Sequence, residues 1–184
     1  KSIISRIILN RIDFKNESYL IKTHTYYNQI NKLNVTDIFF GDLEKNFNKS
    51  YFKLAHFQND YFKTLKFISK NKNNIYPFEY FISTYQLLYL FIKKYFFKIK
   101  IFESIKNTIK LDHIFIHEIQ KSGISLNHLS FYMVAKNLSK ITNIEKIYLT
   151  YENIAWENSF IFGLKKFMPN IKIVGYQHTV VPQA

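Results

Sequence analysis

Residues 146–184 read KIYLTYENIAWENSFIFGLKKFMPNIKIVGYQHTVVPQA, and this stretch decides the fold. Ile147-Tyr148-Leu149 is a compact apolar run, the signature of a strand covered on both faces. Asn153 suits a helix N-cap, and Glu157 falls in the first turns, where a carboxylate is favoured. Trp156, Phe160, Leu164 and Phe167 repeat at helical spacing. Lys165 and Lys166 suit the carboxyl end of that helix, and Pro169-Asn170 ends it. Ile171 to Gly175 then forms a second strand, which Tyr176-Gln177-His178-Thr179 leaves.

A strand–helix–strand unit of this length is a crossover, so its two strands run parallel. Glu152 and His178 each stand just past the carboxyl end of their strand, and parallel strands put both on one edge of the sheet. Neighbouring strands lie about 4.8 Å apart. Open α/β sheets bind ligands along that edge. The amino end of the intervening helix points its amides toward the same rim, where an anion can sit. Gly175 suits a close backbone approach at the strand end.

Upstream the signals are weaker. Ser2–Leu9 and Tyr19–Thr23 read as short strands, and Val35–Phe40 as a better one, closed by Gly41-Asp42. From Tyr51 the spacing of Leu54, Phe57, Tyr61, Leu65 and Ile68 predicts a helix, broken by the Asn- and Lys-rich stretch Ser69–Asn74. Pro77 suits the start of another helix, and Phe78–Phe97 is strongly apolar. Lys93 and Lys94 interrupt it short of the roughly 20 residues of a bilayer span. A buried core helix is preferred to an interfacial membrane helix. Helices are also expected over Ile101–Ile109, Leu111–Gln120 and, after Gly123, Leu126–Leu138, with a strand at Ile144–Thr150. Helices between strands, with the best strands last, give an α/β class: a Rossmann-like parallel sheet flanked by helices and helix-rich in the middle. No internal repeat or linker divides the chain, so residues 1–184 read as one domain.

Composition narrows the partners. The 184 residues are 47% hydrophobic and 18% aromatic, which excludes a disordered chain. Cysteine is absent, so disulfide frameworks, thiol nucleophiles and zinc knuckles are excluded. The formal charge is +13, yet of 26 basic residues only Arg6 and Arg11 are arginine, the residue suited to bidentate phosphate and base contacts. No specific nucleic acid is expected. The charge suits phosphorylated ligands and peripheral contact with an anionic membrane. No G-x-G-x-x-G or P-loop pattern occurs.

Tyr151-Glu152-Asn153-Ile154-Ala155-Trp156-Glu157, followed by Gly175-Tyr176-Gln177-His178-Thr179-Val180-Val181-Pro182, resembles bacterial surface-carbohydrate biosynthesis proteins of the GT-B glycosyltransferase kind. These have a Y-E-N-x-x-W-E element and then a G-Y-Q-H-[ST] element one strand later. The likeness covers about a fifth of the chain. It implies the N-terminal half of a GT-B-type fold, with a second, donor-binding domain expected after residue 184. It also implies a nucleotide-sugar donor, a glycan or lipid-linked acceptor, and a cytoplasmic location, at most touching the inner face of the membrane. The corresponding activity is transfer of a sugar from the activated donor to an acceptor hydroxyl, with no cofactor and no bound metal. The alternative is a non-catalytic basic module that binds glycan, an anionic membrane surface or nucleic acid.

Individual residues keep two readings each. His178 is a general base or a donor to a phosphate, or else it fixes its own loop. Glu152 is the base or the partner of His178, or else a helix-start carboxylate. Trp156 stacks on a sugar or packs in the core. Asn153, Tyr176, Gln177 and Thr179 complete the expected ligand contacts, and Glu157 reads as a first-turn charge. His113 and His117 stand at helical i, i+4 spacing with Glu118 beside them, which suits a surface or packing pair better than a metal site with no third ligand. Asp42 is a further rim candidate if the strand before it is real.

Overall fold

The computed structural model of the protein describes residues 1–9, 18–27, 39–71, 74–94, 96, 126–141, 143–152 and 154–176. Among these, β1 (Tyr19–Thr25), β2 (Tyr51–Phe57), β3 (Ile75–Pro77), β4 (Lys146–Thr150) and β5 (Lys172–Tyr176) form one sheet in the order β3-β2-β1-β4-β5. Every pairing is parallel. The helices are α1 (Ser2–Leu9), α2 (Tyr61–Asn71), α3 (residues 84–94), α4 (Leu126–Ile141) and α5 (Ala155–Phe167). Two 3-10 turns, Leu43–Asn46 and Phe78–Phe81, complete the described elements. The expected α/β class, a Rossmann-like parallel sheet flanked by helices, holds.

The terminal unit folds as its sequence predicts. β4 and β5 pair from Lys146↔Lys172 to Thr150↔Tyr176, with α5 between them. Phe160 and Leu164 are fully buried against α4, where Phe131, Val134, Ala135 and Leu138 face them in the core. The two helices cross closely at Gly163, where an added Cβ would stand 2.8 Å from Ala135 Cβ and 3.2 Å from the Tyr132 carbonyl oxygen. Gly175 also makes the expected close approach, since a Cβ there would lie 3.1 Å from Tyr151 Cβ.

Several upstream expectations are corrected. Ser2–Leu9 is a helix, not a strand. Its buried positions, Ser2, Ser5 and Leu9, follow helical spacing, and both hydroxyls are satisfied: Ser2 Oγ donates to the Ile82 carbonyl and Ser5 Oγ to the Ser2 carbonyl. Tyr51–Phe57 is a strand rather than the start of a helix, and the helix begins at Tyr61. β2 lies inside the sheet and is buried on both faces, so its period-2 alternation is masked by apolar residues. Even Lys53 is buried there, paired with Glu44. Pro77 closes β3 and stands at the N-cap of the 3-10 turn Phe78–Phe81, so the helix it starts is that short turn and not the long apolar one. Phe39 and Phe40 stand in a turn, and the rest of the expected Val35–Phe40 strand lies outside the described residues, as do the helices expected over 101–109 and 111–120.

The apolar stretch from Phe78 is not one buried helix. Phe78, Phe81 and Ile82 are core, but α3 starts anew at a capping box: Ser83 Oγ accepts from the Gln86 amide (3.1 Å), and Gln86 Oε1 accepts from the Ser83 amide (2.9 Å). Among the described residues, no helix is long and apolar enough to cross a membrane.

Candidate functional site

The chain runs β1, β2, β3 toward one side of the sheet, then returns to place β4 and β5 on the other. The strand order therefore reverses between β1 and β4, and the carboxyl edge at such a reversal is where open parallel sheets leave a crevice. A cavity of about 240 Å³ lies there, lined by His24, Tyr26, Phe39, Gln58, Thr150, Glu152, Ile154, Trp156 and Glu157. It is smaller than the roughly 300–1,000 Å³ of drug-sized pockets, so it suits one ring-sized unit of a ligand. A larger cavity of about 570 Å³, lined by Tyr19, Glu145, Lys146, Asn170 and Lys172 among others, lies at the amino ends of the strands. It is on the wrong edge for a ligand crevice of this fold.

His24 is the penultimate residue of β1, in register with His56 of β2. Gln58 continues β2, its backbone amide donating to the Thr25 carbonyl at 3.1 Å, and its side-chain Nε2 stands 2.6 Å from His24 Nδ1. The Gln58 amide can present either nitrogen or oxygen to the ring, and so sets which ring nitrogen carries the hydrogen. As placed, with the nitrogen toward the ring, Nδ1 accepts and Nε2 carries the hydrogen; turning the amide over puts the hydrogen on Nδ1 and leaves Nε2 the proton acceptor that a base needs.

Beneath the cavity His24, His56, Phe78, Phe131 and Trp156 contact one another in a closed circuit, with successive ring centroids between 4.8 and 5.9 Å apart. The fully buried Lys22 places Nζ over Trp156 at 4.8 Å and over Phe131 at 5.5 Å, and donates to the Thr23 carbonyl at 3.1 Å. Burial, then the charges of Lys22 and Lys1, push the His56 imidazole down to about 4, so it is neutral at pH 7.

Glu152 stands where the sequence places it, just past β4 and on the cavity wall. Tyr176 ends β5, half exposed, with its carbonyl accepting from the Tyr151 amide at 3.0 Å. Asn153, Gln177, His178 and Thr179 lie outside the described residues, as do His113 and His117. Among the described residues no group of three or more His, Asp or Glu is placed to hold a metal ion. Asp42 pairs with Lys45 at 2.9 Å and does not line the cavity.

Two expectations change. The N-cap position of α5 is Ile154, not Asn153. Two of the amides at that end are already taken: the buried Glu157 carboxylate accepts from the amides of Glu152 (2.8 Å) and Ile154 (3.2 Å), which sets a carboxylate where an incoming anion would approach. Trp156 lines the cavity, and its ring also packs against Phe131, Lys22 and His24, as its core reading expects.

Comparison of the chain with protein-family models, with curated proteins and with solved structures finds no match. The chemistry of the rim therefore rests on its own side chains. Sequence reasoning missed His24, Gln58, Tyr26 and Phe39. A longer reading of β1 exposes His24, because Leu20, Lys22 and His24 alternate onto one face. Gln58 was hidden by the helical reading of β2.

Proposed function

We propose that the chain is the acceptor-facing domain of a GT-B-type glycosyltransferase of surface polysaccharide assembly, holding a hydroxyl-bearing acceptor at the β1–β4 rim. One observation carries the reading: a cavity at the reversal of strand order lined by both a carboxylate, Glu152, and an imidazole, His24, the latter oriented by Gln58. A carboxylate or an imidazole beside an acceptor hydroxyl can take its proton as the oxygen attacks the sugar carbon and the nucleotide leaves. The resemblance of residues 151–157 and 175–182 to surface-carbohydrate transferases supports the same reading and implies a role for His178 beside them. The nucleotide sugar would come from the opposite wall of the cleft, a donor-binding domain following residue 184. The helix end occupied by Glu157 agrees with this division, since it disfavours a donor phosphate on this side.

The test is transfer of labelled sugar from a panel of nucleotide sugars to membrane glycolipid by the protein with its donor domain. Glu152→Gln, His24→Ala and His178→Ala are compared with the parent. Loss of about a hundredfold or more in at least one of the three is expected for removal of a general base. Undiminished transfer in all three overturns the reading.

A further inference from the structure

α3 turns its apolar side away from the protein. Its start is fixed to α4 by a reciprocal amide pair, Gln86 Nε2 to Asn137 Oδ1 at 3.0 Å and Asn137 Nδ2 to Gln86 Oε1 at 2.9 Å, with Asn137 also donating to the Phe81 carbonyl at 2.6 Å. Leu87 and Leu90 follow Gln86 onto the inward side and pack against the core. Tyr85, Leu88, Tyr89 and Ile92 occupy the opposite stripe at i, i+3, i+4 and i+7 spacing, between 44 and 78% exposed, with Phe91 on its flank. A surface helix ordinarily keeps its polar residues on this side.

Charge and composition indicate what meets the stripe. The sequence from Ile82 to Phe102 contains no carboxylate and four lysines, Lys93, Lys94, Lys98 and Lys100. Lys93, exposed, extends over the Tyr89 ring at 5.7 Å. Tyrosine, leucine and isoleucine bordered by lysine are what an interfacial helix presents to lipid: the apolar stripe enters the acyl boundary and the ammonium groups meet anionic headgroups. Among the described residues no helix is long and apolar enough to cross a bilayer, whereas the three turns over residues 84–94 are long enough to lie in its surface. A second copy seated face to face in parallel would set Lys93 and Lys94 against their own counterparts, and one seated antiparallel would offer them no carboxylate, since residues 82–102 contain none.

We infer that α3 is a membrane-docking element that lays Tyr85, Leu88, Tyr89 and Ile92 into the surface of a bilayer containing anionic lipid. The inference does not rest on the sugar-transfer reading, and its test uses no activity. Co-sedimentation of the chain is measured with vesicles of phosphatidylcholine alone and of phosphatidylcholine doped with phosphatidylglycerol. Binding to the doped vesicles is expected. Leu88→Ser with Ile92→Ser weakens it about tenfold or more, because the insertable surface is lost. Lys93→Gln with Lys94→Gln weakens binding to the doped vesicles roughly fivefold per lysine, and leaves binding to neutral vesicles unchanged. Both residues of the serine variant are exposed, so its circular dichroism and melting temperature should match the parent. No binding to doped vesicles, or binding indifferent to the serine pair, overturns the inference. So does a lowered melting temperature in the serine variant, which means the chain itself covers the stripe. A vesicle-free dimer that the serine pair dissolves also overturns it, by assigning the stripe to a second copy.

Discussion

Two histidines stand side by side across β1 and β2 and do different things. His56 lies face to face on Phe78, ring centroids 5.2 Å apart, and its depressed ionisation comes from burial first and the nearby lysine charges second. Unfolding restores an ordinary imidazole near 6.5. The unfolded chain therefore binds a proton that the folded chain refuses as pH falls from about 6.5 toward about 4, and stability is lost over that window. Between pH 7 and pH 5 the loss from this residue should be about 1 kcal/mol, after allowance for its partial exposure. His56→Phe keeps the stack and has no proton to bind, so denaturant titrations at the two pH values should differ less for the variant than for the parent. An equal acid loss in both removes His56 as the cause. His24 depends instead on Gln58. Gln58→Glu places a carboxylate against Nδ1, holds the hydrogen there and stabilises the charged ring. If His24 is the base of the proposed transfer, the acid limb of the pH–rate profile should move up by about one unit. Gln58→Leu should lower the rate without that displacement. Superimposable profiles for parent and Gln58→Glu would leave Gln58 a packing residue.

α5 is the element that joins the legible part of the sequence to the site. Its periodic face, its stop at Pro169-Asn170 and its parallel flanking strands follow from local pattern, because a helix between two short apolar runs permits one arrangement. Its amino end was less legible. Asn153 has the better capping chemistry, yet Ile154 takes the N-cap position, and the amides of Glu152 and Ile154 are satisfied by Glu157 from inside the helix. The hydrogen-bonding group at a helix start can come from the third helical residue as well as the cap, and sequence alone does not say which. Glu157→Ala leaves both amides without their acceptor and should cost about 1–2 kcal/mol in a denaturant titration. Glu157→Gln keeps a carbonyl acceptor and should cost less. A stability unchanged in the alanine variant would mean the carboxylate is not what holds this end. β2 failed for the opposite reason: a strand enclosed on both faces loses the alternation by which strands are recognised, and its leucine and phenylalanine then fit a helical period by chance.

The whole sheet shows why the crevice could be anticipated in kind but not in its residues. β1 lies beside β4 through the register Tyr19↔Lys146 to Lys22↔Leu149, a pairing across more than a hundred residues that no local pattern announces. That pairing brings His24 to the rim already marked by Glu152. Under the proposed transfer reaction, the same rim bears on which of the two reactants this domain would take. Ligand phosphate at such a rim ordinarily sits on open amides at a helix start, and here the Glu157 carboxylate already takes the amides of Glu152 and Ile154. Trp156 is the only tryptophan and lines the cavity, so its fluorescence reports occupancy directly. Titration with uridine, guanosine and cytidine diphosphates should leave that fluorescence unchanged into the millimolar range, whereas a hydroxyl-rich acceptor glycan should alter it. Glu157→Gln removes the charge while retaining an acceptor for the amides, so weak, salt-sensitive binding of the diphosphates should emerge in that variant. Tight binding of a nucleoside diphosphate to the parent chain, weakened by Glu152→Gln, would put the donor on this rim and reverse the assignment of the two sides.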